Sequence, residues 1–67
     1  MQEQPLLLRA EEAAKILSLG RSTIFQMLAS GELPVVRIGR SVRIPRSELE
    51  IWIRARTERA EDLYDSA

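Results

Sequence analysis

The chain has 67 residues, no Cys and no His, and ten basic against ten acidic side chains, so its formal net charge is zero. That length holds one small domain, which buries only ~60% of its unfolded surface and so has a thin core. Missing Cys and His exclude disulfide staples, zinc fingers, thiol nucleophiles and His-based acid–base catalysis. No apolar run approaches the ~18 residues that span a membrane, and the opening MQEQPLLLR has no basic n-region followed by a full apolar stretch. The expected setting is the cytoplasm, with no secretory signal and no membrane partner.

The charge is unevenly spread. Residues 1–20 sum to −1, residues 21–46 carry five Arg against one Glu (+4), and residues 47–67 sum to −3. Nine of the ten basic side chains are Arg, whose planar fork suits phosphate and guanine better than Lys does. A local positive field can coexist with overall neutrality. The bland alternative is a set of solvated Arg on a small protein.

Leu6-Leu7-Leu8 is long enough for a short strand or a hydrophobic plug. A first helix of about two turns follows, with Ala13, Ile16 and Leu17 at i, i+3, i+4 and Glu11 and Glu12 in the first turn, where the helix dipole favours them. Ser18-Leu19-Gly20 breaks it. A second helix runs from Arg21 to about Ser30 with Ile24, Met27 and Leu28 inward, and Gly31 suits the left-handed residue that closes a helix. Two short helices joined by a three-residue turn containing Gly make a helix-turn-helix.

After Pro34 the period changes to that of strands. Val36, Ile38, Val42 and Ile44 alternate with Arg37 and Arg43 around Gly39-Arg40-Ser41. A two-residue turn at Gly39-Arg40 mixes polar and apolar side chains on each face. A three-residue loop pairs Ile38 with Val42 and Val36 with Ile44, and leaves Arg37 across from Arg43. The second solution sorts the faces and is the expected one, although Gly ends such loops more often than it starts them. Ser47 and Glu50 then form a capping box for a third helix that buries Leu49, Trp52 and Ile53, leaves Ile51 exposed and reaches Arg59. The domain spans 6–59, and 60–67 is an acidic tail containing Leu63 and Tyr64, expected to fray.

Helix, turn, helix, β-hairpin, helix is the order of a winged helix-turn-helix, a small α+β fold. The chain resembles the phage excisionase family (recombination directionality factors), whose layout is shared with MerR-type winged helices. The likeness covers residues 8–53. It rests on Glu12-Ala13-Ala14, on Arg21-Ser22-Thr23-Ile24-Phe25, and on Gly31-Glu32-Leu33-Pro34. It continues through Arg37-Ile38-Gly39-Arg40, Arg43-Ile44-Pro45, Ser47-Glu48-Leu49 and Trp52. Two positions depart from the family: Arg9 stands where Ser or Thr caps the first helix, and Gly20 where Ser precedes the second. Each weakens a cap by a few tenths to about 1 kcal/mol.

With Ile24 and Leu28 inward, Ser22, Gln26 and Ala29 face outward and let the helix approach a major groove. Gln26 can pair bidentately with adenine and Ala29 can touch a thymine methyl. Ser22, Thr23 and the first free N–H groups can hold phosphate, and Arg21, on the flank of the helix, is a further DNA-binding candidate. Phe25 is expected to be partly core. In the wing, Arg37 and Arg43 facing each other would gain from a phosphate between them. Arg40 at the tip suits a narrow minor groove, and Ser41 and Arg46 extend the strip. Alternatively, Ser, Gln and Ala form a solvated face and the Arg act as gatekeepers on edge strands.

The resemblance implies a non-catalytic architectural protein. Several copies would bind double-stranded DNA head-to-tail near an attachment site and bend it, so that integrase assembles an excisive complex within the bacterial nucleoid. Bending 20–30 bp by 40–90° costs about 1–6 kcal/mol, which several protomers must offset. No Gly-rich phosphate loop, nucleophile–base pair, metal site or cofactor site is evident. A transcription regulator of the same fold is the alternative, followed by a protein–protein adaptor using the acidic tail.

Overall fold

The computed structural model describes residues 5–61. In chain order it contains β1 (Leu7–Leu8), α1 (Ala10–Leu17), α2 (Arg21–Ser30), β2 (Val36–Ile38), β3 (Ser41–Pro45) and α3 (Arg46–Ala55). This is a winged helix-turn-helix with one strand more than the hairpin alone supplies. The leucine run is that strand: Leu7 pairs with Pro45 and Leu8 with Ile44, all antiparallel, in the order β1-β3-β2. The backbone N–H of Arg46 donates to the Leu6 carbonyl at 2.8 Å and extends the pairing by one step.

Leu8 and Ile44 are cross-strand neighbours, and each is 1% exposed. They form the sheet's share of a small core completed by Ala13, Ala14, Ile24, Leu33 and Leu49, with Met27, Leu28 and Trp52 packed against it. In α1 the buried pair is Ala13 and Ala14, whose small side chains let the helix lie close to its neighbours. Ile16, expected inside, is 55% exposed. It stands at the rim of an open cleft lined also by Pro5, Leu8, Glu12, Lys15 and Arg46, because close approach of α1 is made by its alanines and leaves no room for a branched side chain in the same seam.

Both helices of the turn end left-handed. Gly31 closes α2 at φ 79, as its position implies. Ser18 closes α1 at φ 57, with the Leu19 N–H reaching back to the Ala14 carbonyl at 2.9 Å. A non-glycine residue there carries a steric penalty. Arg9 precedes α1 with no side-chain cap of its own, and the Glu12 carboxylate compensates by accepting the Arg9 N–H at 2.8 Å.

The third helix differs from expectation at both ends. It starts at Arg46, with Pro45 at the capping position, and Ser47 caps nothing. The cause is the sheet: β3 runs directly into the helix while the Arg46 N–H is still held by Leu6, so the helix begins before Ser47. Glu50 lies 3.8 Å from Arg46 instead. At the other end α3 stops at Ala55, not Arg59, where the chain tightens to i−3 bonds from the Arg56 N–H to the Ile53 carbonyl at 3.0 Å and from the Thr57 N–H to the Arg54 carbonyl at 3.3 Å, with Thr57 Oγ1 also donating to the Ile53 carbonyl at 2.8 Å. Leu49 is buried and Trp52 half-buried, whereas Ile53 is exposed, as is Ile51. Leu63 and Tyr64, and with them most of the acidic tail, lie outside the described residues.

Candidate nucleic-acid interface

The site is built on α2. Its inner face, Ile24 with Met27 and Leu28, is set by the core and therefore decides what turns outward. Ser22, Thr23, Gln26 and Ala29 are all exposed. No side chain caps the helix, so the first N–H groups after Gly20 have no side-chain acceptor, and a helix N-terminus favours anions. Arg21 is engaged rather than idle. Its Nη2 lies 3.5 Å from Glu11 Oε2, and its Cζ sits 5.8 Å from the Phe25 ring centroid. Phe25 is 46% exposed, which corrects its expected place in the core. It stands one turn beyond Arg21 and offers the guanidinium an aromatic face. Both members of the Arg21–Glu11 pair are more than half exposed, so water screens it and little energy is needed to release Arg21.

In the wing the observed register is the one that mixes the faces. Val36 pairs with Arg43, Arg37 with Val42, and Ile38 with Ser41, around a two-residue turn at Gly39-Arg40. Val36, Ile38, Ser41 and Arg43 therefore share one face, and Arg37 and Val42 share the other with Ile44. The expected three-residue loop is overturned, and so is the facing of Arg37 and Arg43, which project on opposite sides of the ribbon. Sorting faces by polarity decides register only where one face is buried. This ribbon carries exposed Arg37, Ile38 and Val42 beyond the core, so turn chemistry decides. Gly39 has φ +60, and among the described residues Ser18 alone of the non-glycines is positive. That is the type II′ pattern, in which Gly belongs at the first central position.

Arg37 and Arg40 are exposed, and among the described residues neither joins an ion pair. Arg43 is half-buried, with Nη1 donating to the Val42 carbonyl at 3.0 Å. Ser41 is half-buried at the turn. Arg46 stands apart from the wing: it is the first residue of α3, half-buried, and lines the cleft beside Lys15. The partnership of Arg21 with Glu11 was not legible beforehand, because it bridges the turn between two helices. Among the described residues no group of His, Cys, Asp or Glu could hold a metal ion, and no helix is long and apolar enough to cross a membrane.

Residues 7–57, about three quarters of the chain, match the model of a family described as "Helix-turn-helix domain". The chain belongs to that helix-turn-helix family, which includes excisionases. A Saccharopolyspora erythraea protein named "Probable excisionase" is 53% identical over 45 residues, covering 67% of this chain and 46% of that protein. A Mycobacterium tuberculosis protein named "Putative DNA-binding protein Rv0500A" is 37% identical over 43 residues, covering 64% of this chain and 55% of its own length. The chain thus spans about half the length of the curated relatives it matches. No solved structure matches it significantly.

Proposed function

We propose that this chain is a non-catalytic, sequence-specific DNA-binding protein of the excisionase type. It bends attachment-site DNA and so helps an integrase perform prophage excision, with neighbouring copies contacting one another head-to-tail. The carrying observation is the outer face of α2, where Ser22, Thr23 and Gln26 are all exposed on a helix of a helix-turn-helix. The similarity to the "Probable excisionase" supports the finer reading.

In this function α2 occupies the major groove. Gln26 reads a base edge, while Arg21, Ser22 and Thr23 hold phosphate. The wing enters the adjacent minor groove tip-first with Arg40 leading. Because Arg37 and Arg43 lie on opposite faces, each meets a different wall of the groove instead of clamping one phosphate. Arg43 and Ser41 are more enclosed and contribute less, and Arg46 contacts backbone from α3.

Gel shifts test this. Arg40→Ala should weaken binding to every sequence and flatten the dependence of log K on log salt by about one unit. Gln26→Ala should relax preference at one base pair, a loss of about 1–3 kcal/mol in discrimination. Parental binding by both variants would end the proposal. Stepwise ladders on attachment-region DNA are expected from the head-to-tail mode, whereas a single discrete shift would favour a simple repressor.

A further inference from the structure

We infer that Ile38 is an apolar wedge, inserted by the wing between stacked base pairs from the minor-groove side so that it kinks the duplex. The inference rests on the DNA-binding function proposed above. Ile38 is the last residue of β2, immediately before the turn, and is 57% exposed, more than any other large apolar side chain of the wing. Its ladder partner is Ser41, which is too small to cover it. It does not pack against the core, and β2 is an outer strand of the sheet. Outer strands are normally blunted with charge, so packing does not account for a branched apolar side chain this exposed at this position.

The surroundings indicate the occupant. Arg43 shares the face of Ile38, Arg37 stands exposed on the reverse face, and Arg40 is exposed at the tip two residues on. An apolar side chain at the end of a ribbon that carries Arg on both faces suits stacked bases between two phosphate chains better than the apolar face of a protein. Gly39 adds no side chain beside Ile38 and keeps the tip narrow. Minor-groove proteins that bend DNA insert Ile, Leu, Phe or Met between base steps and kink the duplex by about 20–90°. The flexible TA and CA/TG steps are the expected sites of entry. Val42 is also exposed but lies on the opposite face, together with core residue Ile44, and so serves as a control.

The test uses the full chain and a short duplex that the parent selects from a randomised pool, labelled at both ends for energy transfer and carrying 2-aminopurine at candidate steps. Parental protein and Val42→Ala should shorten the end-to-end distance and brighten one 2-aminopurine. Ile38→Ala should still bind, with affinity lowered less than about tenfold and an unchanged salt slope, but lose both signals, and Ile38→Leu should restore them. Far-UV circular dichroism checks that the variants are folded. Full kinking by Ile38→Ala overturns the wedge. So does a DNA-free dimer of the parent that Ile38→Ala dissolves, which would assign the side chain to self-association. Failure of the DNA-binding function itself has a different mark: parental binding by both Arg40→Ala and Gln26→Ala.

Discussion

Ser18 and Gly31 occupy equivalent places at the ends of consecutive helices, at φ 57 and φ 79. Only one of them is a residue for which that conformation is free of steric cost. Ser18→Gly should therefore stabilise the protein by roughly 1 kcal/mol, and Gly31→Ala should destabilise it by a similar amount. In a domain this small each change moves the thermal midpoint by about 4–8 °C, which a melting curve resolves. No heavy atom lies within 4 Å of a Cβ placed at Gly31, so its penalty comes from the backbone alone. Glu11 makes a second prediction at this scale. It neutralises Arg21 across the helix-turn-helix turn at 3.5 Å, so Glu11→Gln should raise DNA affinity several-fold at low salt, with the gain fading as salt increases. Titrations at two ionic strengths check this, and an affinity unchanged at both would mean that Glu11 does not compete with DNA for Arg21.

At the scale of the element, the hairpin register shows how competing rules are ranked. Alternating apolar and Arg residues argue for a loop that sorts the faces, but that argument draws its force from burial, and the ribbon stands outside the core. The II′ turn at Gly39-Arg40 wins and sends Arg37 and Arg43 apart. Gly39→Ala keeps every charge but forces a Cβ onto φ +60. It should cost about 1–2 kcal/mol and weaken DNA binding more than the addition of a single methyl group suggests. Hydrogen exchange should show the loss concentrated in β2 and β3. The start of α3 ranks the rules in the same way. Ser47 and Glu50 satisfy the spacing of a capping box, yet a strand pairing made with Leu6, forty residues earlier, holds the Arg46 N–H and moves the helix start.

At the scale of the molecule, a core of seven buried residues among those described leaves little margin, and single long-range contacts matter. Trp52 Nε1 donates to the Glu32 carbonyl at 2.7 Å, joining α3 to the loop that leads out of α2, and Arg56 stacks over the same ring with Cζ 4.2 Å from its centroid. Trp52→Phe keeps most of the apolar body but removes the donor. It should cost about 1 kcal/mol or somewhat more, read as a lower denaturant midpoint with unchanged slope. Charge is also a property of the whole: the chain is neutral, yet its DNA affinity should fall steeply with salt, because the groups proposed to meet phosphate come from the +4 middle segment.

The order of elements, the spans of α1 and α2, Gly31 as a helix terminator and the exposed polar face of α2 were legible in the amino-acid sequence, because each follows from periodicity or from one residue's backbone preference. Pairing of β1, the start and end of α3, the partnership of Arg21 with Glu11 and the side of the ribbon on which each wing Arg stands were decided only in three dimensions. Each depends on which distant group reaches a backbone donor, a carboxylate or a buried face first. Ile38 belongs to both sets: its strand was readable from alternation, but its exposure follows from a ribbon that extends beyond the core, where burial no longer governs what a side chain faces.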